Sequence, residues 1–277
     1  MSKDLKIGFI GVGNMASAIV EGIVAKDFVA GSQVYLFDIL TDKVQAFADK
    51  IGAHAMENPE AVIENSDVVV LAVKPNIVRT ALLNAKASIL EKQPLLVSIA
   101  AGTTTEAIYE LFETEQPVKI VRVMPNVNAM VGEGAAAVCG NPFAAKEDVQ
   151  LIVEMFNKIG RAWELAEKDF SNFTALAGSS PAYAYLFIDS IARAGVKNGL
   201  PKDLALEIAA QAVLGSAKMI EESKENPWTL IDRVCSPGGT TVAGLVELEN
   251  NAFISTVIKG IDATIAKDQD LMEQAKK

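Results

Sequence analysis

Short apolar runs alternate with amphipathic stretches along the first 165 residues of this chain, and this order constrains its fold more than any other feature. Most neighbouring runs are separated by a segment with apolar residues at helical spacing, such as Ala16 to Ala25. The candidate strands are Lys6 to Ile10, Gln33 to Phe37, Ala53 to Met56, Val68 to Ala72, Leu95 to Ile99, Lys119 to Met124 and Ala135 to Cys139. The sequence therefore predicts an α/β domain over residues 1–165, with a parallel sheet covered by helices on both faces.

The pattern changes at about Ala166, after which apolar residues recur at helical spacing without β-rich runs. The predicted helices are Asp169 to Asn198, Lys202 to Glu222, Trp228 to Val234, Thr240 to Leu248 and Ala252 to Ala275. We therefore expect an all-helical domain over residues 166–277. Stretches such as LALEIAAQAVLGSAKMI are apolar on more than one face, so this domain is expected to be covered by a second copy in a dimer.

The net charge of the chain and the lengths of its apolar stretches limit which partners it can bind. Lys and Arg total 25 against 35 Asp and Glu, and the formal net charge of −10 disfavours binding to nucleic acid. No apolar stretch approaches the ~20 residues that a membrane-spanning helix needs. We expect no nucleic-acid or membrane partner.

Histidine and cysteine usage limits the chemistry. The single histidine, His54, makes a two-histidine metal site impossible, and its place on a short predicted strand favours a structural or exposed residue. The only cysteines, Cys139 and Cys235, form no CxxC pair, so neither a disulfide framework nor a zinc site is predicted. We expect no metal and a location in the reducing cytoplasm.

The first predicted strand runs directly into the segment GVGNMA at 11–16, which has the form GxGxxA and opens a predicted helix. Gly11 allows a tight turn, Gly13 lets the backbone approach a pyrophosphate, and Ala16 permits close packing of helix on strand. Asp38 ends the second strand, where a carboxylate usually binds the adenosine ribose and favours NAD over NADP. This arrangement predicts a Rossmann-type dinucleotide site; a plain turn and a helix cap at Asp38 are the alternatives.

Two further loops follow strands at the same predicted edge of the sheet, AVKP at 72–75 and AAG at 100–102. Their small residues would let a cofactor lie against the backbone. Lys74 is either a cofactor ligand or a solvated lysine before a proline. Thr103 with Glu106 reads as a capping box, so part of the second loop's signal is helix initiation.

The segment SPGGTT at 236–241 precedes an apolar helical run. Its glycines let consecutive N–H groups converge, its threonines add hydroxyls, and the helix start points its positive end into the same space. This predicts a binding site for a small carboxylate; a glycine-rich turn with a threonine cap is the alternative.

Several segments together suggest a family. They are GFIGVGNMA at 8–16, AVKP at 72–75, AAG at 100–102, MPN at 124–126, LAGSSPAYAY at 176–185, AGVKNGLP at 194–201 and SPGGTTVAGLVELE at 236–249. These segments are spread along nearly the whole chain, and in them the sequence resembles the pyrroline-5-carboxylate reductases, the last enzymes of proline biosynthesis. The resemblance implies reduction of the C=N bond of 1-pyrroline-5-carboxylate to L-proline by hydride from NADPH or NADH. It also implies an all-α C-terminal dimerisation domain, in a dimer that often assembles into decamers.

The resemblance also assigns roles to residues. Thr241 would be catalytic, and Glu167 matches a position near the substrate. The substrate carboxylate and ring nitrogen would be held by Ser236, Gly239, Thr240 and Thr241. The cofactor would be contacted by Gly11, Val12, Gly13, Asn14, Met15, Asn58, Val73, Lys74 and Ala101. Family members commonly prefer NADPH, whereas Asp38 favours NADH, so the sequence leaves the cofactor open.

Two rival functions use the same fold. A β-hydroxyacid dehydrogenase also joins a GxGxxG/A domain to a helical domain and uses a Lys beside an Asn, which Lys197 and Asn198 would supply. That interpretation leaves SPGGTT unexplained, and the segment GVKNGLP is typical of a helix end. A redox-sensing protein that binds the cofactor without turnover is the second rival.

Overall fold

The computed structural model describes residues 4–275, with the side chains of its last helix described to residue 272. Its strands are β1 (Ile7–Ile10), β2 (Val34–Phe37), β3 (His54–Ala55), β4 (Val68–Leu71), β5 (Leu95–Ser98), β6 (Ile120–Pro125), β7 (Gly134–Gly140) and β8 (Gly160–Glu164). They form an 8-stranded sheet in the order β3-β2-β1-β4-β5-β6-β7-β8. The predicted α/β class is confirmed, although β7 pairs with β6 in the antiparallel sense and β8 was not predicted.

Helices cover both faces of this sheet. They are α1 (Asn14–Ala25), α2 (Thr41–Ile51), α3 (Pro59–Glu64), α4 (Pro75–Lys92), α5 (Thr105–Glu110) and α6 (Lys146–Phe156). Alternate residues of β4 enter two separate apolar clusters, Val68 and Val70 on one face and Val69 and Leu71 on the other. The uninterrupted apolar run of this strand follows from its burial on both faces.

The strand order reverses between β1 and β4, which both pair in parallel with their neighbours. In open α/β sheets, ligands bind outside the carboxyl ends of the strands at such a reversal. The GVGNMA and AVKP segments follow these two strands directly. The topology therefore brings both predicted cofactor loops to one crevice.

Beyond β8, the described part of the chain is helical, with α7 (Phe170–Phe173), α8 (Ser180–Lys197), α9 (Lys202–Ser223), α10 (Pro227–Val234), α11 (Thr240–Asn250) and α12 (Phe253–Ala275). The predicted helical range from Asp169 to Asn198 is divided, because a π-helix at Thr174–Gly178 separates α7 from α8. Pro181 lies in the first turn of α8, where a residue without an N–H is tolerated. None of the helices described within residues 4–275 has the length and apolar character needed to cross a membrane.

Contacts divide the chain into two compact units. The first runs to Gly178 and resumes at Ile265, and the second spans Ser179–Thr264. The domain boundary that the sequence predicts between residues 165 and 166 stays a prediction. Within the second unit, large apolar side chains are exposed in the single chain, among them Leu186, Ile208, Leu214 and Val257. Such a surface is typical of a face that another molecule covers.

Candidate functional site

The glycine-rich loop lies between β1 and α1 in a conformation that needs Gly11. This residue has φ of +95°, and a Cβ built on it would lie 2.7 Å from the carbonyl oxygen of Ala72. Its N–H donates to the carbonyl of Phe37 at 2.8 Å. The loop is therefore held closely against the neighbouring strand β2 and the loop after β4.

Open space lies in front of Gly13 at the start of α1. A Cβ built on Gly13 has nothing within 4 Å, and among the described residues no side chain caps this helix. The first turn of the helix carries no acidic residue, and Asn14 beside it is exposed. Uncapped N–H groups and the positive end of a 12-residue helix thus face open space, an arrangement that favours an anion.

Asp38 is fixed beside this loop by two backbone groups. Its Oδ2 accepts the N–H of Val12 at 2.7 Å, and its Oδ1 accepts the N–H of Leu40 at 3.0 Å. The N-cap of α2 is Leu40, so the alternative of a helix cap at Asp38 is wrong. Val12 is buried and Met15 is half-buried, so Val12 acts here through its backbone.

The two alanine-containing loops follow neighbouring strands. Lys74 is exposed at the N-cap of α4, next to half-buried Val73, and Ala101 is exposed beside Gly102, whose φ is +73°. The predicted capping box at Thr103 is wrong: Thr104 is the cap of α5, and its Oγ1 accepts the N–H of Ala107 at 3.1 Å. Thr104 lies one residue closer to the helix, which begins at Thr105.

Asn58 and His54 lie near β3, at the edge of the sheet beside β2. Asn58 caps α3, where its Oδ1 accepts the N–H of Ala61 at 2.8 Å. His54 is exposed, stacks on Tyr35 with ring centroids 5.0 Å apart, and places its Nε2 3.1 Å from the carbonyl of Ser32. The expectation of a structural or exposed histidine is confirmed.

A cavity of about 670 Å³ lies between α4 and α5 in the first unit. Its lining includes Arg79, Glu106, Glu110 and Glu113. The carboxylates outnumber the guanidinium and repel phosphate groups, so this cavity does not suit the cofactor. The open space at Gly13 suits it better.

A polar cluster that the sequence analysis missed surrounds Glu167. Its Oε1 accepts from the N–H of Thr105 at 2.8 Å and from Nη1 of buried Arg122 at 3.1 Å. Its Oε2 accepts the hydroxyl of Thr105 at 2.9 Å. In the sequence, the sign of this cluster is a charged residue, Arg122, inside the otherwise apolar strand IVRVMP. Burial, and then the negative charge of Glu167, raise the pKa of the nearby Cys139 thiol to about 12.

Asn126, in the MPN segment, is a second buried polar residue that was missed. Its Nδ2 donates to the carbonyl of Ala177 at 2.9 Å, and its Oδ1 accepts the N–H of Ala135 at 3.0 Å. The carbonyl that it satisfies belongs to the π-helix, where hydrogen bonding is irregular. Asn126 therefore fixes the segment that leads into SSPAY.

In the second unit, SPGGTT forms a tight turn before α11. The N–H of Gly239 donates to the carbonyl of Ser236 at 3.0 Å, and Gly238 has φ of +70°. Gly239 is the N-cap of α11, no described side chain caps this helix, and its first turn carries no acidic residue. Thr240 and Thr241 are the first exposed residues of the helix. The turn thus offers N–H groups and hydroxyls to an anion.

Lys197 and Asn198, the pair that the dehydrogenase rival requires, lie at the end of α8. Asn198 is the C-cap, and its Nδ2 donates to the carbonyl of Ala194 at 2.8 Å. Gly199 follows with φ of +98°. This is the geometry of a helix end.

Within the first unit, the glycine loop and Asp38 come together, and Glu167 joins Arg122 and Thr105. Within the second unit, Ser236, Gly239, Thr240 and Thr241 share one helix start. The ligand roles of all these residues stay predictions.

Two family models match the chain. Residues 167–271 match pyrroline-5-carboxylate reductase dimerisation, and residues 6–102 match NADP oxidoreductase coenzyme F420-dependent. The pyrroline-5-carboxylate reductase of Escherichia coli (strain K12) is 39% identical over 266 residues, which covers 96% of this chain and 98% of the relative. That of Glycine max is 37% identical over 265 residues, covering 96% and 95%.

Solved structures give the same result. A pyrroline carboxylate reductase of Plasmodium falciparum with NADP bound has 34% identity and a TM-score of 0.84, covering 98% of this chain and 99% of that chain. A pyrroline-5-carboxylate reductase of Coxiella burnetii has 32% identity and a TM-score of 0.91, covering 97% and 98%.

Proposed function

The chain belongs to the pyrroline-5-carboxylate reductase family, and from this premise we propose how its own residues carry out the reaction. The activity is NAD(P)H-dependent reduction of the C=N bond of 1-pyrroline-5-carboxylate to L-proline. The single observation that carries this function is similarity to such reductases over 96% of the chain.

We propose that the first unit holds the cofactor. When bound, NAD(P)H supplies the hydride for the imine carbon. The loop of Gly11, Val12 and Gly13, with Asn14 and Met15, would hold the pyrophosphate, and Asp38 the adenosine ribose. Asn58 would lie toward the adenosine end, and Val73, Lys74 and Ala101 toward the nicotinamide. The uncapped start of α1 and the open space at Gly13 support this assignment.

We propose that the turn before α11 holds the substrate. The N–H groups near Gly239, with Ser236 and Thr240, would bind the carboxylate, and the hydroxyl of Thr241 would hydrogen-bond the ring nitrogen. A protonated imine is already electrophilic, so the chain has to orient the substrate more than to supply a strong base. Orientation of this kind can lower a barrier by about 7–11 kcal/mol. A chain with a single histidine fits this demand.

The Thr241 hydroxyl offers a direct test. We expect Thr241→Ala to lower kcat/KM for the imine by about 100-fold, while the Kd for the reduced cofactor stays unchanged. Thr241→Ser keeps the hydroxyl and should retain most of the activity. Thr229→Ala, at an exposed threonine of α10, is the matched control. Wild-type kcat/KM in Thr241→Ala would remove this residue from the mechanism.

We propose that the self-association of the family takes place through the apolar helices of the second unit. Leu214 of α9 is 61% exposed in the single chain, so Leu214→Glu should convert a dimer into monomers in light scattering. A dimer of unchanged mass would place the interface elsewhere. Further assembly into decamers is proposed from the family resemblance, and the same measurement distinguishes ten copies from two.

We also propose a cytoplasmic location, which the two free cysteines support. Fractionation of the source cells, with activity recovered in the cytosolic fraction, would test it.

A further inference from the structure

An ion pair joins buried Arg122 of β6 to half-buried Glu167, which lies just before α7. The side chain of Arg122 is 3% exposed, and its Nη1 lies 3.1 Å from Oε1 of Glu167. The guanidinium also lies over the ring of Phe170, 4.5 Å from its centroid. A buried guanidinium requires a negative partner, so Arg122 holds the Glu167 carboxylate in one place.

From this position, Glu167 holds the start of α5. Thr105 is the first residue of that helix, and its N–H therefore has no partner within the helix. Glu167 accepts both this N–H, at 2.8 Å, and the Thr105 hydroxyl, at 2.9 Å. The carboxylate thus fixes the helix start to β6.

The helix start is one of the two ends of the loop that contains Ala101. At the other end, the N–H of Ile99 donates to the carbonyl of Leu71 at 3.2 Å, and Ala100 is buried. Ala101 itself is exposed between these anchors. Release of the end at Thr105 would free the backbone that faces the nicotinamide end of the cofactor.

We propose that Glu167, oriented by Arg122, is a positioning residue for the cofactor loop at Ala100–Gly102 and not a ligand of the imine. Its Oε1 accepts two hydrogen bonds and its Oε2 one, and all three come from Thr105 and Arg122, so the observed contacts of this carboxylate are to the helix start and to β6. This inference rests on the proposed function, because it takes Ala101 as a cofactor contact.

The test compares two double variants that both lack the ion pair, R122M/E167Q and R122M/E167A. In the first, the amide oxygen of the introduced glutamine can still accept the N–H of Thr105, whereas in the second nothing replaces the carboxylate. The measurements are the Kd for NADPH and NADH from cofactor fluorescence without the imine, KM for the imine at saturating cofactor, and the thermal midpoint.

We expect the R122M/E167A protein to bind the cofactor about 10-fold more weakly than the unmodified protein, and the R122M/E167Q protein, which loses only the orientation by Arg122, about threefold more weakly, with KM for the imine unchanged in both. Equal cofactor Kd values in the two folded variants would overturn the proposal, since a merely structural role would move only the thermal midpoint. A higher KM for the imine with unchanged cofactor Kd would make Glu167 a substrate ligand and would also overturn it.

If R122M/E167A does not fold, the variants Thr105→Val and Thr105→Ser test the proposal instead. The valine lacks the hydroxyl that Glu167 accepts, so its cofactor Kd should rise about threefold while the serine variant matches the unmodified protein. Equal values in these two variants would overturn the proposal. Failure of the unmodified protein to bind either cofactor would instead refute the proposed function, and this inference with it.

Discussion

The carboxylate of Asp38 accepts a hydrogen bond from the backbone N–H of Val12, with 2.7 Å between Oδ2 and the nitrogen. The contact joins the residue after β2 to the loop after β1, so Asp38 helps to shape the loop that it adjoins. Each carboxylate oxygen can accept a second hydrogen bond, and a ribose hydroxyl can therefore still donate to it. With the adenosine ribose bound here, as we propose, the negative charge would repel the 2′-phosphate of NADPH.

We therefore expect this chain to use NADH more efficiently than NADPH, and Asp38→Asn to raise the ratio of kcat/KM for NADPH to that for NADH by about 10-fold. Steady-state rates with each cofactor at equal concentration measure the ratio. Asp42→Asn removes an exposed carboxylate from the first turn of α2 and should leave it unchanged. A large NADPH preference in the unmodified protein would contradict our interpretation of Asp38.

Alanine substitutions at the two glycines of the loop between β1 and α1 should have different effects. A Cβ at Gly13 meets nothing within 4 Å in the protein, so Gly13→Ala should fold normally but weaken cofactor binding by about 10-fold or more. A Cβ at Gly11 would lie 2.7 Å from the Ala72 carbonyl at φ of +95°, so Gly11→Ala should lower the thermal midpoint by about 5 °C or more. Cofactor fluorescence and thermal unfolding measure the two effects. Unchanged cofactor affinity in Gly13→Ala would place the pyrophosphate elsewhere.

Strands with strong local patterns were predictable from the sequence, and elements that depend on distant contacts were not. The run at Val68 to Ala72 identified β4 because burial on both faces requires apolar residues at every position. The strand β8 reads GRAWE, and its pairing with β7 depends on residues far away in the sequence. The π-helix before α8 was not predicted, because TALAG has ordinary helical composition and the Ala177 carbonyl in it is satisfied by distant Asn126.

The candidate site shows the same division. The GVGNMA and SPGGTT segments carry their geometry locally, in glycine conformations and helix starts, so their residues were predictable. Glu167 meets Thr105 across 62 residues and Arg122 across 45 residues. No local pattern records such a meeting, and only the sheet topology brings these residues together.

The two glycines of the turn before α11, where we propose that the substrate binds, allow a matched comparison. A Cβ at Gly239 would lie 2.4 Å from Oγ and 3.1 Å from the carbonyl oxygen of Ser236, whereas one at Gly238 meets nothing within 4 Å. We expect Gly239→Ala to displace Ser236 and to lower kcat/KM for the imine by about 100-fold, with cofactor Kd unchanged.

Gly238→Ala is the control for that change. Its φ of +70° costs an alanine about 1–2 kcal/mol, so this variant should be less stable but should retain most of its kcat/KM. Thermal unfolding and imine kinetics separate the two outcomes. Equal activity in both variants would argue against a substrate at this turn.

The buried thiol of Cys139 gives a prediction about pH. Burial raises its pKa from 9.0 to about 12, with Glu167 adding to the rise and Arg122 opposing it. The unfolded chain releases this proton near pH 9 and the folded chain keeps it until about pH 12, so the thiol's contribution makes the folded state less stable as pH rises through this interval.

We expect the Cys235→Ala protein to show no thiol that reacts with a disulfide reagent at pH 8 when folded, and one when unfolded in guanidinium. Cys139→Ala is then added to the Cys235→Ala protein. Between pH 9 and 11, the free energy of unfolding from denaturant titrations should fall less in this double variant than in Cys235→Ala alone. Equal losses in the two proteins would mean that Cys139 titrates in the folded state as it does in the unfolded chain.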